Sequence, residues 1–187
     1  MLINFIKNYP FVLSFLLGLI PALIWLWFWL KEDTHPEPAK NIALSFLGGM
    51  LSVLIVLPIQ KIVYDHYVDN QYLSFTLWAA IEEVAKFTFV YFIALKRRVT
   101  DEPVDDIIYL IVSALGFVTL ENTLFLLEPV RNGDLIKTVL DDNMRFLGAS
   151  LIHIMSSATI GICMGLTFYS PRFRKIEYTI FGIILAI

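Results

Sequence analysis

The chain has 187 residues, of which 58% are hydrophobic and 17% charged, with a net charge of -3 and a mean hydropathy of +0.72. A soluble domain of this size cannot bury so much apolar surface, so the composition indicates an integral membrane protein. The 14 basic residues are scattered, which excludes the basic patch of a nucleic-acid-binding protein, and the lone Cys163 excludes an intrachain disulfide.

Six apolar segments are separated by polar loops, several of which contain proline. The segments cover approximately residues 10–30, 41–60, 71–95, 105–127, 145–169 and 175–187, with proline-bearing loops at 31–40, 96–103 and 128–133. Five segments have about the 20 residues that a helix needs to cross a bilayer, whereas the sixth is short or truncated. The pattern predicts an all-α bundle of about six transmembrane helices that forms one membrane-embedded domain over residues 1–187.

The first segment and the basic residues predict the orientation of this bundle. The first segment ends in Trp25, Trp27 and Trp29 rather than in a small-residue cleavage site, so it is predicted to be a retained helix. The odd-numbered loops contain eight lysines and arginines, against five on the opposite side. The positive-inside rule therefore predicts cytoplasmic odd-numbered loops and an external N-terminus.

The third segment carries Glu82, Glu83 and Lys86 in the middle of an apolar stretch. A charged residue at the centre of a membrane helix costs about 2.5 to 3.5 kcal/mol on the insertion scale, so these three require an internal polar environment. Lys86 follows the glutamates by four and three positions and can neutralise one of them, but not both. We interpret Lys86 as a counter-ion and positioning group, and the second acid as a sign of function.

The fourth and fifth segments place further polar groups at a similar depth. Glu121 and Asn122 lie a turn or two from the outer end of the fourth segment, and His153 lies roughly 12 Å into the fifth by helical rise. Three segments are therefore predicted to direct ionisable groups into one cavity in the outer half of the membrane. His35 and His66 fall in loops and are expected to be solvated.

Several motifs identify a family that this chain resembles. They are Trp25-Leu-Trp27 before Asp33-Thr-His-Pro-Glu-Pro38, Glu82-Glu83-Val-Ala-Lys86, Glu102-Pro-Val-Asp105 with Tyr109, Gly116-Phe-Val-Thr-Leu-Glu121-Asn122, and Arg145 followed by His153. Together they resemble the PrsW-type membrane proteases, distant relatives of the CAAX prenyl endopeptidases and other glutamic intramembrane proteases. Asp106 is a departure, because the family usually has glycine there.

The resemblance implies that the substrate is a single-pass membrane protein and that the enzyme lies in the lipid bilayer of the bacterial cytoplasmic membrane, with no nucleic-acid partner. Such enzymes make the first cut in anti-sigma factors on the external side. In the CAAX-type relatives a histidine stands in the place of Glu121 and an asparagine in the place of Ser157. The catalytic candidates are Glu82, Glu83, Glu121 and His153, with Lys86, Asn122, Ser157 and Arg145 in supporting roles.

Two mechanisms remain open for these residues. Peptide hydrolysis needs an activated water, a group that stabilises the oxyanion, and a proton for the leaving amine. In the first mechanism, Glu121 and one glutamate of the third segment hold a water between them, one carboxyl being protonated, while His153, Asn122 and Ser157 bind the oxyanion or orient the water.

In the second mechanism, Glu83, Glu121 and His153 hold a divalent metal such as zinc, which lowers the pKa of its bound water. Spacing does not decide between them. We favour the metal-free mechanism, with no cofactor, because the related glutamic proteases work in that way. No serine-nucleophile motif and no His-Glu-x-x-His helix occurs in the sequence.

Two other functions also fit a cluster of acids and histidine inside a membrane. A proton- or ion-coupled transporter would use such groups as an ion pathway. Against it, the six segments contain no convincing internal copy, and Pro58 is predicted to lie near a helix end rather than to break a helix. A catalytically silent scaffold that binds a partner helix is the third alternative.

Overall fold

The computed structural model describes residues 9–31, 35–97, 99–133 and 135–187, with the backbone alone for residue 97 and residues 135–147. Within these ranges the chain forms six α-helices and no strand: α1 (Pro10–Lys31), α2 (Ala39–His66), α3 (Gln71–Ile93), α4 (Pro103–Asn132), α5 (Leu135–Gly165) and α6 (Arg172–Ala186). A short 3-10 helix, Leu95–Arg97, follows α3. The predicted all-α bundle is confirmed.

Four of the described helices are long and apolar enough to cross a membrane: α1, α2, α4 and the Gly148–Gly165 part of α5. Helix α3 has 23 residues but carries three charges at its centre, and α6 has 15 residues, fewer than the roughly 20 that span a bilayer. Large apolar side chains point outward, and those of Leu47, Leu51 and Leu54 on α2 are each more than half exposed. These features are those of an integral membrane protein.

Three boundaries differ clearly from the prediction. Helix α4 continues through Pro129 to Asn132, so the loop predicted at 128–133 is largely helical, and α5 begins at Leu135 rather than near residue 145. The missing N–H of Pro129 affects only the last turn of α4, and the helix ends at Gly133, whose φ of 78° favours a residue without a side chain. Helix α2 runs to His66 rather than to residue 60, so Pro58 lies inside the helix, two turns before its end. His66 is exposed, as expected, but it is the last residue of α2 rather than part of a loop.

Helix α4 is the central element of the bundle. Its residues 108–119 are all buried, and it packs against α1, α2, α3 and α5. A helix that is buried on every face needs apolar or small side chains all round, which is what this stretch contains. Glu121 follows the buried stretch directly, so α4 brings this carboxylate to the bundle beside α5.

Helices α2 and α4 touch through their backbones at one crossing. A Cβ atom at Gly49 would lie 1.9 Å from the carbonyl oxygen of Ser113, and a Cβ atom at Gly116 would lie 1.9 Å from that of Phe46. Any larger side chain would push the helices apart, so the two glycines permit this close approach. The crossing fixes the position of α4 along α2, and with it the position of Glu121 relative to α2.

Candidate active site

Glu83 of α3 is buried and is held by three donors. Its Oε1 accepts hydrogen bonds from Lys86 Nζ at 2.5 Å and from Ser156 Oγ at 2.7 Å, and its Oε2 accepts one from Ser157 Oγ at 3.1 Å. The side chain is 4% exposed. Charge-assisted bonds from a neighbouring cation and two hydroxyls keep this carboxylate in one orientation. Glu83 is therefore well placed to organise its neighbours.

Lys86 links Glu83 to the histidine of α5. Its side chain is fully buried, and its ammonium lies 3.2 Å from His153 Nδ1 and 5.0 Å from the centre of the Phe117 ring. An ammonium group only donates hydrogen bonds, so His153 Nδ1 accepts this one. A neutral imidazole that accepts at Nδ1 carries its proton at Nε2. The hydrogen-bond network thus assigns the Nε2–H tautomer to His153.

The Nε2 atom of His153 points toward Glu121 of α4. It lies 3.2 Å from Glu121 Oε2, and the network therefore makes His153 the donor in this contact. The Glu121 side chain is 31% exposed, which makes it the most accessible acid of this cluster. A carboxylate that a water can reach and that contacts a protonated ring nitrogen has the geometry of a general base or acid.

Glu82 lies on the other side of the same histidine. Its Oε2 is 4.0 Å from His153 Nδ1, and its Oε1 accepts a hydrogen bond of 2.6 Å from Gln60 Nε2 of α2. The Glu82 side chain is 16% exposed. His153 therefore lies between two partly accessible carboxylates that come from different helices.

Six of the predicted site residues come together in this cluster: Glu82, Glu83, Lys86, Glu121, His153 and Ser157. Of the others, Asn122 is 7% exposed, and its Nδ2 has no hydrogen-bond partner among the described residues. Ser157, which the first mechanism uses to bind the oxyanion or to orient the water, donates its hydroxyl hydrogen to Glu83 Oε2. The side chain of Arg145 lies outside the described part of the chain.

Two contacts of the cluster were not predicted, those of Ser156 and Gln60. Gln60 also accepts a hydrogen bond at its backbone oxygen from Trp78 Nε1, at 3.1 Å, which ties the end of α2 to α3. Gln60 is a polar residue next to an apolar run, and this signal could have marked it. Ser156 offers no comparable signal, because serine is common in membrane helices.

Metal binding by Glu83, Glu121 and His153 does not fit this arrangement. Both oxygens of Glu83 are taken by donors, and the Lys86 ammonium stands where a cation bridging Glu83 to His153 Nδ1 would lie. A metal there would have to displace a buried positive charge. In the described ranges, the three-residue group with ligand atoms close enough for an ion is Glu37, Asp101 and Asp105, which lies elsewhere.

An apolar groove of about 450 Å³ lies between α1 and α2. Its lining includes Leu26, Leu30 and Phe46, and it reaches Glu37 at the loop before α2. None of the clustered acids of α3 and α4 lines it. The acids instead reach the surroundings through the partly exposed side chains of Glu82 and Glu121.

Comparison with known proteins agrees with the motifs. A family model described as PrsW family intramembrane metalloprotease matches residues 37–187. Protease PrsW of Geobacillus kaustophilus is 33% identical over 162 residues, which cover 83% of this chain and 65% of that protein. Protease PrsW of Clostridioides difficile is 29% identical over 181 residues, which cover 92% and 74%.

The chain thus spans 65% and 74% of the lengths of these two relatives. Protease PrsW of Bacillus subtilis is 26% identical over 159 residues, covering 83% of this chain and 67% of that protein. No solved structure matches the chain significantly. Because the family model covers most of the sequence, including every helix that carries the acid–histidine cluster, the chain belongs to the PrsW family.

Proposed function

We propose that this chain is a membrane-embedded endopeptidase of the glutamic type, which hydrolyses a membrane-anchored protein near the outer face of the membrane. One observation carries the proposal: His153 lies between two partly exposed carboxylates, those of Glu82 and Glu121, at 4.0 Å and 3.2 Å. Two acids and an imidazole within reach of one water are the groups that amide hydrolysis needs.

The contacts indicate different roles for the two adjacent glutamates of α3. Glu83 has no oxygen without a donor, so we assign it to positioning Lys86 and the serines of α5. Glu82 and Glu121 then hold the reacting water. One of these carboxylates takes a proton from the water while the water oxygen adds to the amide carbon. The C–N bond then breaks as the leaving amine receives a proton from the other carboxyl group, which is protonated.

His153 stabilises the charge that develops on the carbonyl oxygen. Its Nε2–H contacts Glu121 in the free enzyme and would be shared with the oxyanion once substrate binds, while Lys86 keeps the proton on Nε2 by donating to Nδ1. Lys86 acts through His153 and is a positioning residue in this mechanism. No step of this proposal passes through a metal ion; the donors on both oxygens of Glu83 and the position of Lys86 support that choice.

The proposed substrate is a single-pass membrane protein, such as an anti-sigma factor, that is cut first on the external side. Support comes from the family resemblance and from relatives named Protease PrsW. We propose that the enzyme lies in the bacterial cytoplasmic membrane with its N-terminus outside, as its basic loops favour. The lipid bilayer then delivers the substrate helix by lateral diffusion, and nucleic acid has no part.

The test uses the full chain in liposomes with a single-pass substrate that carries a label at each end. Glu121→Gln should slow fragment formation by about 100-fold or more, which is the usual contribution of a general base or acid. His153→Ala should slow it by about 100-fold or more as well, because it removes a donor to the oxyanion. Glu128→Gln is the matched control, because Glu128 is an exposed glutamate two turns further along α4. Cleavage at the unchanged rate by folded Glu121→Gln and His153→Ala proteins would refute the proposal.

Two further measurements separate the alternatives. For the metal-free mechanism we expect cleavage to continue after a chelator is added. We also expect elemental analysis of the purified protein to find no stoichiometric zinc. A pH-driven flux through the same liposomes without substrate cleavage would instead indicate a transporter. Substrate capture without fragments would indicate a scaffold.

A further inference from the structure

A second cluster of acids lies at the opposite end of α4. Asp105 is in the first turn of α4 and Glu121 is sixteen residues further on, which separates them by about 24 Å along the helix axis. Carboxylate oxygens of Asp105, Asp101 and Glu37 all lie within 4.8 Å of one another. This second cluster joins the loop before α2 to the segment before α4 and takes no part in the proposed hydrolysis.

Asp105 has one carboxylate oxygen that is buried without a partner. Its Oδ2 accepts hydrogen bonds from the backbone N–H groups of Asp101 and Glu102, at 2.8 Å and 2.7 Å, and so caps α4. Its Oδ1 is buried and has no hydrogen-bond partner within the described residues, and the residue as a whole is 0% exposed. Leaving a charged oxygen in this state is costly, so a cation or a donor is expected to meet it.

Glu37 adds negative charge to the same place. Its Oε2 accepts a hydrogen bond from the Tyr109 hydroxyl. Burial is the largest cause that raises the pKa of Glu37, and the hydrogen bond from Tyr109 opposes it; with the interactions with the side chains of Asp105 and Asp101, which also raise it, the pKa is about 7. Among the described side chains, no lysine or arginine forms an ion pair with the three acids, so their repulsion lacks a counter-ion there.

We propose that Glu37, Asp101 and Asp105 bind a hard divalent cation of the Ca²⁺ or Mg²⁺ class, at a site separate from the acid–histidine cluster. Carboxylate oxygens are the ligands that both ions prefer. Two oxygens on opposite sides of Ca²⁺ are about 4.8 Å apart, because Ca–O distances are about 2.3 to 2.6 Å. Oxygens that all lie within 4.8 Å of one another can therefore be ligands of one such ion.

The bound ion would fasten the α1–α2 loop to the start of α4. The neighbouring contact between His35 Nδ1 and Glu102 Oε1, at 3.0 Å, joins the same two segments but is largely exposed. A cation bound by three carboxylates would be a stronger link than this pair. It would stabilise the end of the bundle that is remote from Glu121, and would leave the hydrolytic residues untouched.

The test measures ion binding to the purified full chain in detergent. Terbium replaces Ca²⁺ at oxygen sites and emits when excited through a nearby phenol, a position that Tyr109 occupies. Wild-type protein should show terbium emission that Ca²⁺ competes away, and its melting temperature should rise with added Ca²⁺. The same melting series with Mg²⁺ identifies which ion binds more tightly.

Variants locate the ion. Asp101→Asn and Glu37→Gln should each raise the dissociation constant on the order of tenfold or more, because each removes one charged ligand. Asp101 is exposed, so its variant is expected to fold even if Asp105→Asn does not. Asp69→Asn, at an exposed turn between α2 and α3, is the matched control and should bind normally.

The Glu83→Gln variant distinguishes a failure of this proposal from a failure of the proposed function. Glu83→Gln should bind the ion with unchanged affinity, even where it abolishes cleavage. Loss of binding in Glu83→Gln, or unchanged binding in both Asp101→Asn and Glu37→Gln, would overturn the assignment. Absence of any saturable Ca²⁺ or Mg²⁺ effect on wild-type protein would overturn it as well.

Discussion

The buried pair of Glu83 and Lys86 allows a sharp test of the cluster through stability alone. Lys86→Met replaces the lysine by an apolar side chain of similar length, and Glu83→Gln removes the negative charge while keeping the shape. Each single change leaves the other charge without its counter-ion in the membrane interior. The double variant contains neither charge, so no charge is left unpaired, although His153 Nδ1 loses the hydrogen bond from Lys86.

The expected magnitudes follow from the burial of the two side chains, which are 0% and 4% exposed, with nitrogen and oxygen 2.5 Å apart. Removing one partner of such a pair typically costs about 3 to 5 kcal/mol, whereas replacing both by neutral groups is often close to neutral. We therefore expect each single variant to be destabilised by about that amount, and the double variant to be more stable than either single one.

Equilibrium unfolding in mixed detergent micelles, followed by tryptophan fluorescence and far-ultraviolet circular dichroism, measures these free energies. Lys61→Met is the matched control, because Lys61 is an exposed lysine of α2, and it should change stability by no more than about 0.5 kcal/mol. If the double variant loses the sum of the two single effects, the charges do not stabilise each other and the reasoning fails. The double variant should remain inactive even when folded, which separates its stability from its chemistry.

Three more predictions concern the contacts around the cluster. Gly116→Ala should destabilise the bundle by about 1 to 3 kcal/mol or more, because the new Cβ would meet a backbone oxygen at 1.9 Å, whereas Gly148→Ala meets nothing within 4 Å and should be neutral or stabilising in the same unfolding assay. Ser156→Ala should cost about 1.5 to 3 kcal/mol by losing a hydrogen bond to a charged group, and a loss below 0.5 kcal/mol would contradict its contact with Glu83. Gln60→Leu should lower the cleavage rate in liposomes more than it lowers stability, because it frees the Glu82 carboxylate to move; an unchanged rate would remove Gln60 from the site.

Hydrophobic length predicted the helices well, because the bilayer sets the number of apolar residues that a span requires. The same criterion placed the end of α4 too early. Proline and a charged residue near residue 128 looked like a loop, yet a proline in the last turn of a helix loses only one hydrogen bond. The same criterion placed the start of α5 too late, near residue 145 instead of Leu135, because the first residues of this helix are too polar to be read as a membrane segment.

Helical rise predicted that polar groups of three helices lie near one another, but it did not predict their hydrogen-bond partners. Rise depends on counting residues, whereas partners depend on the rotation of each helix about its axis. Ser156 illustrates the difference. Hydroxyls in membrane helices usually bond a carbonyl in the preceding turn, as Thr159 does with Met155 at 2.8 Å, so nothing in the sequence distinguishes a serine that reaches Glu83.

The adjacent glutamates of α3 are a further case where rotation decides the role. Successive residues on a helix point about 100° apart, so the side chains of Glu82 and Glu83 leave α3 in different directions and meet different neighbours. Glu83 points at the serines of α5, and Glu82 points at Gln60 of α2 while staying within 4.0 Å of His153. The pair is therefore two single acids in different surroundings. The one that is saturated by donors can hold the geometry, and the one with an accessible oxygen can exchange a proton with water.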